Sequence, residues 1–170
     1  MGNLSNKNLI YKFLRLAPII VLYISVLNQF DLNYLKILSI NFPFILIYYW
    51  SLKKSDVLGY GYIFFAGLIN DIVVGLPTGI SSFNYLLICG FAAYLRTITL
   101  RPNLVKDWFF FLFTILVVNS LNYSILYLFF AMNLTYQNLF FNIFFTFIFY
   151  IIFANIFIIY HRNIFKEGND

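Results

Sequence analysis

Charged residues are scarce in this sequence. Only 10% of the 170 residues are charged and 62% are hydrophobic, whereas an ordinary soluble domain carries about 25% charged and roughly 45–50% apolar residues. A water-soluble fold of this size could not bury so much apolar surface. Because no linker rich in Pro, Gly or Ser interrupts the apolar stretches, we predict a single membrane domain over residues 1–170.

Cysteine and histidine are nearly absent, with one residue of each, Cys89 and His161. One cysteine cannot form an internal disulfide, and a transition-metal site needs several His or Cys ligands. We therefore expect no metal and no cofactor. The net charge of +5 is spread as short basic clusters between apolar segments, which favours a membrane protein over a nucleic-acid-binding one.

Groupings typical of catalysis are also missing from the sequence. The run Gly79-Ile80-Ser81-Ser82-Phe83 lacks the second glycine of the Gly-x-Ser-x-Gly elbow, and no histidine lies within an apolar segment to activate a serine. The stretch Val57-Leu58-Gly59-Tyr60-Gly61 follows a basic cluster rather than a pore helix, which argues against a potassium-channel filter. We predict that the protein is not an enzyme.

The apolar residues fall into six segments that could cross a bilayer. A transmembrane helix needs about 20 apolar residues, with a range of about 17 to 25. The predicted spans are Leu16–Phe30, Leu35–Leu52, Val57–Leu76, Ile80–Leu95, Trp108–Met132 and Leu139–Tyr160. Short connections between them predict an all-α, polytopic, compact bundle of six transmembrane helices, with five as the alternative. We expect Pro43 to kink the second span.

The distribution of Lys and Arg predicts the orientation. If the N-terminus is cytoplasmic, ten of the eleven Lys and Arg residues fall in cytoplasmic segments and only Lys36 lies on the other side. Both termini are then cytoplasmic. No small-residue cleavage pattern follows the first span, so we expect that span to be retained.

The third span is the one segment with unusual polarity. Gly67, Asp71 and Gly75 are four residues apart and therefore share one helical face, which favours close helix packing. Asp71 is the only acidic residue well within a predicted span, at a cost of at least about 2.5 kcal/mol on insertion scales. Asn70 adds polarity beside it. No Lys or Arg of another predicted span lies level with Asp71, so hydroxyls, amides and backbone amides are its expected partners.

Two interpretations of Asp71 stay open at this point. An ionisable residue inside a membrane is functional by default. The alternative is structural: Asp71 caps the helix that starts after Pro77-Thr78-Gly79, or ties adjacent helices together. Ser81, Ser82 and Asn84 could then interact with Asp71 across the turn, which would make the third and fourth spans a hairpin.

Polar stripes on the last two spans predict contacts between helices. The fifth span carries Asn119, Ser120, Asn122 and Ser124, and the sixth carries Asn142, Thr146, Tyr150 and Asn155. Such groups usually hold helices together, at about 0.6 kcal/mol per interaction on average. A path for a solute is the less favoured interpretation.

The run from Phe65 to Gly79 resembles the Gly-x-x-x-Asp-x-x-x-Gly-x-Pro-x-Gly signature of the rod shape-determining protein MreD family. The matched positions are Gly67, Asp71, Gly75, Pro77 and Gly79. Chain length, span number and a short apolar helix ending in the basic residue Arg96 are similar too. Thr78 departs from the family's pattern, where an apolar residue is frequent.

That resemblance implies a non-enzymatic inner-membrane scaffold of the cell-elongation machinery, which determines rod shape through peptidoglycan synthesis. The implied partners are an MreC-like bitopic membrane protein, an MreB-like actin homologue, and a RodA-type glycosyltransferase with its transpeptidase, within membrane lipid. The matched residues, together with Asn70, would then form a hairpin that presents a helix-packing surface to a partner.

A rival class follows from the same resemblance. MreD-like folds are similar to the substrate-binding membrane subunit of energy-coupling-factor vitamin transporters, which is another small six-helix architecture. Such a subunit needs a ligand cavity with convergent polar groups, whereas a scaffold needs only helix faces. The very short, weakly charged outer connections of this chain favour the scaffold.

Overall fold

A computed structural model describes residues 16–28, 40–99, 103–131 and 136–165. Within these residues the chain is entirely helical, with no strand, so the prediction of an all-α fold is confirmed for them. The helices are α1 (Leu16–Leu27), α2 (Phe42–Lys53), the single turn α3 (Ser55–Leu58), α4 (Tyr60–Val74), α5 (Ile80–Ile98), α6 (Leu104–Phe130) and α7 (Tyr136–Phe165).

Among the described residues, only α6 and α7 are both long and apolar enough to cross a membrane by themselves, each over 27 residues (Leu104–Phe130 and Tyr136–Arg162). Helices α1, α2 and α4 are shorter than the expected spans, with α2 at 12 and α4 at 15 residues. The six-span topology therefore stays a prediction. The ends of two predicted spans, 29–30 and 35–39, and Met132 lie outside the described residues.

The third predicted span is interrupted near its start. Gly59 has a φ of 63°, which an L side chain rarely adopts, and it separates α3 from α4. The helix proper runs from Tyr60 to Val74 rather than through the whole of 57–76. Conversely, α5, α6 and α7 each extend beyond the predicted bounds, so part of the predicted connection 96–107 is helical.

Pro43 is the second residue of α2 and does not kink it, so that prediction was wrong. The proline occupies the first turn of the helix, where its missing N–H has no partner to lose. Asn41 precedes the helix and its side chain accepts a hydrogen bond from the Phe44 N–H at 3.4 Å. The start of the helix is therefore set by a capping residue followed by proline.

Helix α2 forms the centre of the bundle. Every residue from Phe44 to Leu52 is buried, and this helix packs against both α5 and α7. A helix that is apolar on all sides belongs in the interior of a larger assembly of helices. Aromatic rings fill the space around it: Tyr48 meets Phe111 of α6 and Tyr150 of α7 at centroid distances of 4.9 and 5.7 Å.

The two ends of α2 mark two chemically different ends of the bundle. Asn41 lies at its start and Lys53 at its end, about 18 Å apart for a helix of this length. Near Asn41 the bundle contains a polar cavity. Near Lys53 it contains an ion pair with Asp107 of α6.

Candidate functional site

Asp71 joins α4 to α5 through both its backbone and its side chain. Its carbonyl oxygen accepts the N–H groups of Gly75 and Leu76, which ends α4. Its carboxylate accepts the Gly79 N–H at 2.7 Å and the Ser81 N–H at 2.9 Å, which begins α5. The fully buried carboxylate therefore caps a helix whose own cap position, Gly79, has no side chain.

This geometry explains how the Asp71 carboxylate can be buried with no cation partner among the described residues. The N-terminus of a helix carries a partial positive charge and several N–H groups without intrahelical partners, and both favour an anion there. Each Asp71 oxygen uses one of these N–H groups. Lys36, the one basic residue predicted on the outer side, lies outside the described residues.

Two glycines make the turn between α4 and α5 possible. Gly75 has a φ of 76° and Gly79 a φ of 102°, both in the left-handed region that favours glycine. Pro77 lies between them, and its carbonyl accepts the Ile80 N–H. The turn is therefore specified by backbone conformations that glycine and proline adopt readily.

Gly67 lies where the backbones of α4 and α5 come close together. A Cβ atom added there would lie 2.4 Å from the Ser82 Cα and 2.5 Å from its backbone nitrogen. The Ser82 hydroxyl also donates to the Phe64 carbonyl at 2.9 Å. The backbones of the two helices thus touch at a position where any side chain would push them apart.

Asn70 completes the hairpin, because its side-chain N–H donates to the Ser81 hydroxyl at 2.9 Å. All six residues that we singled out from the sequence lie in this one structural unit. Gly67, Asn70 and Asp71 contact α5 directly, and Gly75, Pro77 and Gly79 shape the turn. Their interactions are made within the chain.

A cavity of about 300 Å³ lies beside the hairpin. It draws residues from the end of α1, the start of α2, the end of α4, the start of α5, the second half of α6 and the start of α7. We call it the asparagine-lined cavity, after its six asparagines: Asn41, Asn70, Asn84, Asn119, Asn122 and Asn142. Ser25, Ser81 and Tyr85 add hydroxyl groups.

Several amide groups of this cavity are already used for packing. The Asn119 side chain donates to the Ile115 carbonyl at 2.9 Å, and Asn41 caps α2 while its backbone N–H donates to the Thr146 hydroxyl. Two side-chain oxygens of the cavity are not used in this way. The carboxamide oxygens of Asn84 and Asn122 are buried and accept no hydrogen bond within the described part of the chain. Buried acceptors of this kind need an explanation.

A second buried carboxylate, Asp107, lies at the other end of the bundle. Its oxygen lies 2.7 Å from the Lys53 ammonium, and the Asp107 side chain is 2% exposed against 22% for Lys53. The Tyr48 hydroxyl donates to the Asp107 backbone carbonyl at 3.1 Å. This pair ties α2 to the first turn of α6.

Sequence reasoning missed this pair because Asp107 was assigned to a connection rather than a helix. The signal was present, since Lys53 and the segment 96–107 were predicted on the same side of the membrane. Sequence reasoning also missed the cavity, because the asparagines that line the cavity are spread over five helices or their caps. Their convergence depends on how the helices pack.

The site offers hydrogen-bonding groups. Within the described ranges, no three His, Cys, Asp or Glu side chains lie close enough together to hold a metal ion. The buried Cys89 thiol is 3.2 Å from the Ser51 hydroxyl, between α5 and α2. The Asp71 oxygens are both occupied by backbone N–H groups.

Comparison with known proteins gave no match: no family model, no curated protein and no solved structure is significantly similar to this chain.

Proposed function

We propose that this chain is a multi-pass inner-membrane scaffold of the bacterial cell-elongation machinery, of the MreD type. The observation that carries the proposal is the structure of the run that resembles the family. Every motif residue in that run takes part in one closed hairpin. In it Asp71 caps α5, and Gly67, which has no side chain, allows the backbone of α5 to lie against α4. A rigid hairpin of this kind suits a structural role.

Exposed apolar surface supports a membrane location. Most of α7 is exposed although it is strongly apolar, and the same holds for much of α6. On α4, the face turned away from α5 exposes large side chains such as Phe65 and Ile72. A lipid bilayer or the helices of a partner would cover these surfaces.

Six membrane crossings with both termini in the cytoplasm agree with the position of the ion pair. Lys53 and Asp107 belong to segments assigned to the cytoplasmic side, and they meet at one end of the bundle. The asparagine-lined cavity then lies toward the outer face. Helices α1, α2 and α4 are short for a bilayer of about 30 Å, so they would need local thinning or helical residues beyond the described ranges.

Depletion in a rod-shaped host tests the role directly. We expect depleted cells to become round, and the wild-type chain to restore rods and to copurify with an MreC-like bitopic protein. Rods of normal width combined with a defect in nutrient uptake would reject the scaffold. A Gly61→Leu variant should complement, because a Cβ at Gly61 meets no atom within 4 Å.

The asparagine-lined cavity favours a second candidate, the substrate-binding subunit of a small-solute transporter. A cavity with convergent polar groups is what such a subunit needs. Copurification with a transport ATPase, instead of an MreC-like protein, would support this candidate over the scaffold.

A further inference from the structure

We propose that the asparagine-lined cavity binds the sugar ring of a neutral glycoside, either free or as the headgroup of a glycolipid. The inference starts from the two unpartnered carboxamide oxygens, those of Asn84 and Asn122. Asn84 is only 4% exposed and lies on the first turns of α5, beside the capped end of the hairpin. The proposed glycoside binding does not depend on either role proposed for the whole chain.

The charge of the cavity selects an uncharged ligand. None of the described residues that line it carries a formal charge. An ionised phosphate or carboxylate in this setting would lose its hydration without gaining a cation, which is costly inside a protein. Asp71, the neighbour in sequence of the lining residue Asn70, already accepts two N–H groups and so has little capacity for a ligand cation.

The hydrogen-bonding pattern selects hydroxyl groups. A free carboxamide oxygen needs a donor, while the amide nitrogen of the same side chain needs an acceptor. A hydroxyl is both at once, so several hydroxyls around one ring match several asparagines around one cavity. A purely apolar lipid chain would leave the Asn84 and Asn122 oxygens unpaired, at a cost for each.

The remaining walls and the size fit a single ring. Phe44 and Tyr85 line the cavity and meet edge to face at 5.9 Å, which provides an apolar surface next to the amides. A volume of about 300 Å³ is at the lower limit for ligand sites and corresponds to roughly ten water molecules. It has space for one sugar ring rather than for an oligosaccharide.

Native mass spectrometry of the purified full chain in a sugar-free detergent tests the proposal. The probes are monoglucosyl-diacylglycerol, methyl glucoside, diacylglycerol without a sugar, and phosphatidylglycerol. We expect monoglucosyl-diacylglycerol to be retained at least tenfold more than diacylglycerol. If methyl glucoside is retained as well, the sugar alone is the ligand. If only monoglucosyl-diacylglycerol is retained, the ligand is the headgroup of a glycolipid.

Leucine substitutions connect binding to the cavity. Asn84→Leu and Asn122→Leu should each weaken glycoside binding about tenfold, because each removes hydrogen bonds to the ring. Asn155→Leu is the matched control, since Asn155 is exposed on α7 and does not line this cavity. Protection of the buried Cys89 thiol from maleimide shows that a variant is folded. If Asn84→Leu does not fold, Asn84→Ala takes its place.

The proposal is overturned if the folded wild-type chain retains neither glycoside above diacylglycerol. It is also overturned if phosphatidylglycerol binds as well as the glycolipid, or if the Asn84 and Asn122 variants bind like the Asn155 control.

Discussion

The two buried carboxylates in the described part of the chain are stabilised in opposite ways. Within the described ranges Asp71 has no cation partner, and two backbone N–H groups at the start of α5 donate to its oxygens. Asp107 has a cation, Lys53, at 2.7 Å, and that cation remains partly exposed. Both side chains are almost fully buried. Depth alone therefore does not determine how a carboxylate is neutralised.

The difference follows from position along the bundle. Lys53 ends α2 and is level with the first turn of α6, so its ammonium can reach both Asp107 and the surface. Asp71 lies at the end of the bundle that bears the asparagine-lined cavity. None of the described residues that line this cavity is basic. A helix terminus is then the available source of positive potential.

The largest effect should come from Asp71→Leu. This change leaves the part-buried Gly79 N–H and the buried Ser81 N–H without acceptors, and an orphaned buried group costs about 1–3 kcal/mol. We expect a loss of about 4 kcal/mol in the free energy of unfolding. Maleimide labelling of Cys89, the only cysteine in the sequence, measures it in detergent as a higher rate of thiol exposure. A labelling rate equal to wild type would show that the cap contributes little.

Gly67→Val should be the next most damaging change. The added side chain overlaps the Ser82 backbone, so α4 and α5 must separate and the hydrogen bonds of Asp71 and Asn70 with α5 must lengthen. Overpacking of this kind typically costs about 1–3 kcal/mol, and we expect the upper part of that range.

Gly61→Val is the control for Gly67→Val. It lies on the same helix, and its Cβ would meet no atom within 4 Å. Equal thermal unfolding temperatures for the two variants would contradict the close approach of α4 and α5.

Lys53→Met should cost less than either change in the hairpin. The Asp107 carboxylate loses its cation, but Lys53 is partly exposed and water can compensate in part. We expect a loss of about 2 kcal/mol, measured by thermal unfolding. The double variant with Asp107→Asn should recover part of the loss, because no unpaired charge is left. Additive losses would show that the two groups do not interact.

The sequence allowed much of the hairpin to be predicted. The spacing of Gly67, Asp71 and Gly75, with Pro77 and Gly79 after it, is local, and local patterns directly specify helix ends and turns. The capping alternative for Asp71 required only that α5 begin just after the turn. Even there, the break at Gly59 was not anticipated, because a glycine within an apolar run does not reveal a positive φ.

The asparagine-lined cavity and the pair of Lys53 with Asp107 could not be predicted in the same way. Asn84 and Asn122 belong to different helices, and their shared cavity depends on how α5 and α6 are rotated about their axes. Helix periodicity gives the face of each residue but not which faces meet. Asp107 likewise becomes buried only because α6 begins four residues earlier than predicted, at Leu104.

Asp71→Asn should have the smallest effect of the four, and it isolates the role of charge. The amide keeps one oxygen to accept an N–H, but its NH₂ group then faces the second N–H of the Gly79 and Ser81 pair. One hydrogen bond is lost and the carboxylate's interaction with the helix terminus disappears, which we expect to cost about 1–2 kcal/mol. Cys89 labelling should therefore rank Asp71→Asn clearly below Asp71→Leu. If Asn destabilises as much as Leu, the negative charge itself, rather than the acceptor geometry, holds α4 against α5, and a role in binding a proton or cation becomes the better interpretation of Asp71.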